Sequence, residues 1–96
     1  MEGDHHKYRV SGIDPKTKQP FSVMRRLRHF YALRECLVYK FPALYVPPLP
    51  RKKAVNNLAD ETIQLRVFLL SRFIKQLSLC PYILDSDEFH IFLNPQ

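Results

Sequence analysis

Ninety-six residues, 46% of them apolar, allow one domain with a modest core and exclude both a disordered chain and a two-domain one. The formal charge of +6 is concentrated in the middle third. There Arg25, Arg26, Arg28, Arg34, Lys40, Arg51, Lys52 and Lys53 stand against Glu35 alone, whereas the segment after Lys53 is net acidic. Such asymmetry favours a polyanionic partner over a uniformly solvated surface. Cys36 and Cys80 are too few for a disulfide framework; one bridge is open to them, but two buried thiols in a reducing compartment is the better expectation. The opening "MEGDHHKYRV" contains no apolar stretch of the signal-peptide kind, and no segment reaches the ~20 apolar residues that span a bilayer, so a soluble cytoplasmic protein is expected.

In chain order, residues 1–7 read as a frayed tail. Tyr8 and Val10 alternate with polar residues as in a strand. "IDPKTKQPF" carries the prolines and polar residues of a loop or long hairpin turn. "FSVMRRLR" alternates again, which places Phe21, Val23, Arg25 and Leu27 on one strand face. The spacing of Phe30, Leu33, Leu37 and Phe41 predicts a helix that Pro42 stops. Pro42, Pro47, Pro48 and Pro50 then impose an extended connector. Its "PPLP" is better read as a rigid connector than as a ligand for a proline-binding domain. A second helix is expected from near Asp60, with Ile63, Val67, Leu70, Phe73, Ile74 and Leu77 as its buried stripe and Arg66 beside that stripe. Pro81 ends that stretch. "DSDEFHIFLNP" reads as a short helix capped by Asp85 or Ser86, with Phe89, Phe92 and Leu93 facing inward. Strands first and helices after give an α+β class.

No catalytic constellation is visible. With only Gly3 and Gly12 there is no phosphate-cradling glycine loop, and the cysteines and histidines have no zinc-site spacing. The chain is therefore not expected to be an enzyme or to carry a cofactor. What it does carry is three cationic sites at structural transitions: Arg25, Arg26 and Arg28 where strand meets helix; Arg51, Lys52 and Lys53 after the proline turn; and Arg66 in the second helix. Brought together, these would converge on phosphate oxygens. Strand-end and helix-start amides would add donors.

The order of "RRLRHF", the Phe-Pro helix ending, "PPLP" followed by lysines, "LRVFL" and "PYILDSDEFHIFL" resembles the phox-homology (PX) domain of sorting nexins, over about residues 8–93. That resemblance implies a small antiparallel sheet packed on a helical part with a proline-rich loop, and a chain that starts near the family's second strand, so that the first is short or missing. It implies a phosphoinositide-binding, membrane-targeting module, most commonly for phosphatidylinositol 3-phosphate on endosomal membranes. Arg26 would take the 3-phosphate, Lys52 the 1-phosphate with Lys53 beside it, and Arg66 the inositol hydroxyls. Arg25, Arg28, Arg51 and Lys53 would form the supporting basic surface, and Val55 and Leu58 would dip into the bilayer interface. The position after Arg26, aromatic in the family, is Leu27, which offers the ring apolar contact but no stacking face. Each basic residue near an anionic surface adds ~1 kcal/mol, so recruitment is reversible and calls for a second signal. The alternative reading is a PX-fold scaffold for a protein partner with a degenerate lipid site. Nucleic acid is not expected, because the basic block has no aromatic stacking platform.

Overall fold

The computed structural model describes residues 7–14, 16–50 and 60–94. Strand β1 (Lys7–Ile13) and strand β2 (Pro20–Arg26) form an antiparallel hairpin in which Val10 faces Val23 and Tyr8 faces Arg25. The turn is organised by Asp14, whose carboxylate accepts the Lys16 amide at 2.8 Å, while its own amide donates to the Gln19 carbonyl at 2.8 Å. This side-chain mimicry of a turn is typical of aspartate. Lys18 takes the left-handed conformation at φ 63°.

Helix α1 (Leu27–Lys40) begins directly at the end of β2. Leu27 therefore opens the helix instead of continuing the strand alternation expected from the sequence, whereas Phe21, Val23 and Arg25 keep the expected inward face. Phe30, Leu33 and Leu37 fill the buried stripe of α1, and Phe41 closes the helix by donating its amide to the Leu37 carbonyl before Pro42. Residues 42–50 follow without helix or strand, and Val46, Pro47 and Pro50 are buried.

Helix α2 (Asp60–Leu77) is long; the expected Leu70, Phe73 and Leu77 form its core stripe with Ile74 packed beside them, but Arg66 joins that stripe and Val67 does not. Arg66, Leu70, Phe73 and Leu77 are buried, whereas Val67 is 46% exposed and Ile63 is half-buried. Pro81 does not simply terminate. It sits in the first turn of a short helix, α3 (Pro81–Leu84), where a missing amide proton costs nothing. Helix α4 (Asp87–Leu93) is capped by Ser86, whose hydroxyl accepts the Phe89 amide at 3.2 Å. Lys40 bridges Glu88 at 3.0 Å and joins the end of α1 to the start of α4.

The core sits between the inner face of the hairpin and the helices. Phe30 is its centre: its ring meets Tyr8 edge-on at 6.5 Å and Phe92 at 5.0 Å, linking sheet, α1 and α4. Both cysteines are free; Cys80 is half-buried and Cys36 is exposed, so the expectation of two buried thiols fails at Cys36. Strand β1 starts at Lys7, one residue inside the segment expected to be a tail.

Candidate functional site

The three adjacent arginines divide into different tasks because strand geometry and helix geometry meet between them. Arg25 lies on the inward face of β2 opposite Tyr8. Its Nε donates to the Phe92 carbonyl at 3.0 Å, one terminal nitrogen to the Asn94 carbonyl at 2.5 Å and the other to its neighbour Met24 at 2.9 Å. The guanidinium also lies 5.6 Å from the centroid of the Phe92 ring. It thus satisfies carbonyls at the end of α4, which the helix itself leaves without donors. Arg25 closes the sheet onto α4, in contrast with the basic surface role expected from sequence.

Arg26 is the N-cap of α1, with extended backbone at φ −87° and ψ 161°. Its amide donates to His29 Nδ1 at 2.9 Å, so histidine takes the place that glutamate or glutamine fills in the usual capping box. That amide is consequently spent and does not serve as an anion donor. The Arg26 guanidinium makes no hydrogen bond to other described residues and is half-buried at the strand-to-helix corner. Arg28 is exposed on the first turn.

His29 reports the field of this cluster. Burial, then the charges of Arg28, Arg25 and Arg26, hold its imidazole below its ordinary pKa. Only the neutral ring can accept the Arg26 amide at Nδ1. The unfolded chain therefore binds more protons at mildly acidic pH than the native one. The contribution of this cap is complete above about pH 6.5, the unperturbed histidine value, and is lost as pH falls through the lower native value. Thermal melts of the wild type and His29→Gln between pH 7.5 and 5 check this. Glutamine keeps an acceptor that does not titrate, so the wild type is expected to lose melting temperature relative to the variant as pH falls. Parallel curves would refute the assignment.

Leu27 is 6% exposed and belongs to the core. The apolar ring contact expected of it is not presented at the surface; the side chain packs inward because it opens the buried stripe of α1.

One turn along α1 from Leu27, Tyr31 occupies the same helix face. Its hydroxyl donates to the Pro50 carbonyl. Arg34, a further turn-fraction on, donates through Nε to the Pro47 carbonyl at 2.8 Å and through a terminal nitrogen to Val46 at 3.2 Å. A proline-rich segment has few donors and no sheet partner for its carbonyls. Helix α1 supplies those donors and thereby fixes where the loop arrives. Tyr31 and Arg34 were not singled out from sequence, although donors one helical turn apart ahead of a proline run were the available signal.

Arg66 is 3% exposed and lies in the core stripe of α2. Burial raises the Tyr31 hydroxyl pKa, and the charges of Arg66 and Arg34 pull it the other way. Tyr31 thus holds the end of the proline segment at Pro50 and feels the charge of Arg66. The sequence expectations for Arg51, Lys52, Lys53, Val55 and Leu58 fall outside the described residues. Among the described residues no cluster of histidine, cysteine, aspartate or glutamate is placed to hold a metal, and no helix is long and apolar enough to cross a membrane.

Comparison with known proteins gives this arrangement its relatives. The PX domain family model matches residues 14–96. The chain is 30% identical over 96 residues to vacuolar protein sorting-associated protein vps5 of Schizosaccharomyces pombe, an alignment covering 96% of this chain and 17% of that protein. It is 36% identical over 81 residues to sorting nexin-4 of Aspergillus fumigatus, covering 79% of this chain and 16% of that one. A designed CISK-PX domain, solved by X-ray methods, superposes with a TM-score of 0.78 at 28% identity, covering 92% of this chain and 81% of that one. The chain spans about a fifth or less of the length of these curated relatives. The family match runs from the turn aspartate to the C-terminus, and fold and sequence agree: the chain belongs to the PX domain family.

Proposed function

We propose that this domain recognises phosphatidylinositol 3-phosphate and thereby places the protein that carries it on endosomal membranes as a peripheral component. Membership of the PX family and the sorting nexin relatives support the broader class, a phosphoinositide-binding module of membrane trafficking. The observation that carries the finer reading is the state of Arg26. Its backbone is fixed by the His29 cap, while its guanidinium keeps its five donors for a ligand as far as the described residues go. A planar guanidinium fork suits a phosphate monoester, since it makes two parallel charge-assisted hydrogen bonds. Arg66 would bind the far edge of the inositol ring, and Lys52 and Lys53 the 1-phosphate.

Buried Leu27 favours a second reading, a PX-fold scaffold for a protein partner, because the ring contact that the family's aromatic provides is absent from the surface. Flotation with vesicles of phosphatidylcholine containing phosphatidylinositol 3-phosphate, 4-phosphate or 4,5-bisphosphate separates the two. Preference for the 3-phosphate at equal vesicle charge is the expected result. Binding that follows vesicle charge alone would sink the 3-phosphate assignment, and no binding to any of the vesicles would select the scaffold.

A further inference from the structure

The Arg26 corner contains a group that changes charge near neutral pH. While the His29 ring is neutral, its Nδ1 accepts the Arg26 amide at 2.9 Å. An imidazolium donates at both nitrogens and accepts at neither. Protonation therefore turns two donors, the Arg26 N–H and the His29 Nδ1–H, toward the same point. One anionic oxygen placed there satisfies both.

The surrounding charges decide where that oxygen can come from. Strand β2 contributes Arg25 and Arg26, and the first turn of α1 contributes Arg28; these are the charges that act on the ring, and no carboxylate offsets them. From α4, Glu88 lines the same groove of about 500 Å³ as His29, together with Arg25 and Cys36. The Glu88 carboxylate is already bridged to Lys40 at 3.0 Å. Arg25 is committed to the Phe92 and Asn94 carbonyls. Among the described residues, then, the two donors and the Arg26 guanidinium have no acid of the chain to share, and the oxygen comes from a ligand.

We infer that His29 is a titrating ligand of the phosphate held at Arg26, so that the domain takes up a proton when it binds a phosphate monoester and binds it more tightly as pH falls; this rests on the phosphoinositide reading of the site. In the free chain, burial and the three arginines hold the ring below its ordinary value of 6.5. A phosphate dianion reverses that balance, because an opposite charge within about 4–6 Å favours the protonated ring. The coupling is reciprocal: whatever factor the phosphate adds to proton affinity, the proton adds to phosphate affinity. The bound-state value of His29 therefore lies above the free-state one. Affinity is lowest above the bound-state value, rises as pH falls through it and levels off below the free-state value. Each pH unit between the two values gives up to about a tenfold gain. At the atoms, the phosphate acquires the imidazolium N–H and recovers the Arg26 amide that the neutral ring had engaged.

The probe is the soluble head group inositol 1,3-bisphosphate, titrated into the wild type and His29→Gln at pH 7.5, 6.5 and 5.5. Glutamine keeps the cap acceptor and does not titrate. The second ionisation of the phosphate itself, near about pH 6, is common to both proteins and cancels in the ratio of their affinities. That ratio, wild type over variant, is expected to grow at least threefold from pH 7.5 to 5.5. The His29 ring protons, followed by NMR in the wild type alone, are expected to titrate at a higher pH in the saturated protein than in the free one. A role confined to the cap would give a constant ratio and the same ring titration with and without head group; either result overturns the proton coupling and leaves the phosphoinositide reading standing. Absence of head-group binding by both proteins at every pH would remove both.

Discussion

Arg26→Ala is expected to weaken binding to vesicles containing phosphatidylinositol 3-phosphate by roughly 10- to 100-fold while leaving the melting temperature nearly unchanged. The size follows from the loss of charge-assisted hydrogen bonds, each worth about 1.5–3 kcal/mol, with a factor of ten in affinity for every ~1.4 kcal/mol. The separation from stability follows from the cap: what Arg26 contributes to the fold is its amide bond to His29, and alanine keeps that amide. Arg25→Ala is expected to behave in the opposite way. It removes donors from the Phe92 and Asn94 carbonyls and a cation from the Phe92 ring, so it destabilises by about 2 kcal/mol or more. Vesicle flotation and thermal melts on the two variants read both quantities. If Arg25→Ala lost binding at full stability and Arg26→Ala lost stability at full binding, the assignment would be reversed.

Phe30→Ala carries the largest expected cost to the fold. Phe30 is 1% exposed and contacts the Tyr8 and Phe92 rings. Truncating a buried phenylalanine costs about 3–5 kcal/mol through lost transfer energy and the cavity left behind. A domain of this size has a total stability of about 5–15 kcal/mol, so the variant is expected to sit near its unfolding midpoint or to melt at least ~12 °C lower. Because Phe30 joins three elements, the hairpin and α4 should lose protection together in hydrogen exchange. A small, local loss confined to α1 would show that the core is divided differently.

Where a periodic signal stood alone, the sequence was a sufficient guide. The α1 stripe of Phe30, Leu33 and Leu37 follows directly from spacing, and the cap of α4, open between Asp85 and Ser86 in the sequence, falls to Ser86. Where two periodic solutions competed, it was not. Ile63, Val67, Leu70 and Ile74 repeat along α2 as regularly as Arg66, Leu70, Phe73 and Leu77 do. The expected stripe drew on both sets: its Leu70, Phe73 and Leu77 are buried and Ile74 packs against the core, but excluding arginine from the interior kept Val67, which is exposed, and left out Arg66, which is buried. Leu27 illustrates a boundary problem: strand alternation and the helical stripe both ask for an apolar residue there, and only the fold shows which demand it meets. Pro81 was ambiguous for a related reason, since proline ends one helix and starts another equally well. Arg25 and Arg26 could not be told apart from charge. Their separation depends on the alternation of β2 and on α4, which lies 67 residues away in the chain from Arg25 at their shared hydrogen bond.

The grip of Tyr31 and Arg34 on the proline segment has a thermodynamic consequence for recognition. A loop that had to be ordered by its ligand would subtract its configurational entropy from the affinity. Here the carbonyls of Val46, Pro47 and Pro50 are held by the helix that begins at the Arg26 corner, so most of that ordering is completed when the chain folds. In the proposed reading, an anion held at Arg26 would then meet a proline segment already ordered as far as Pro50.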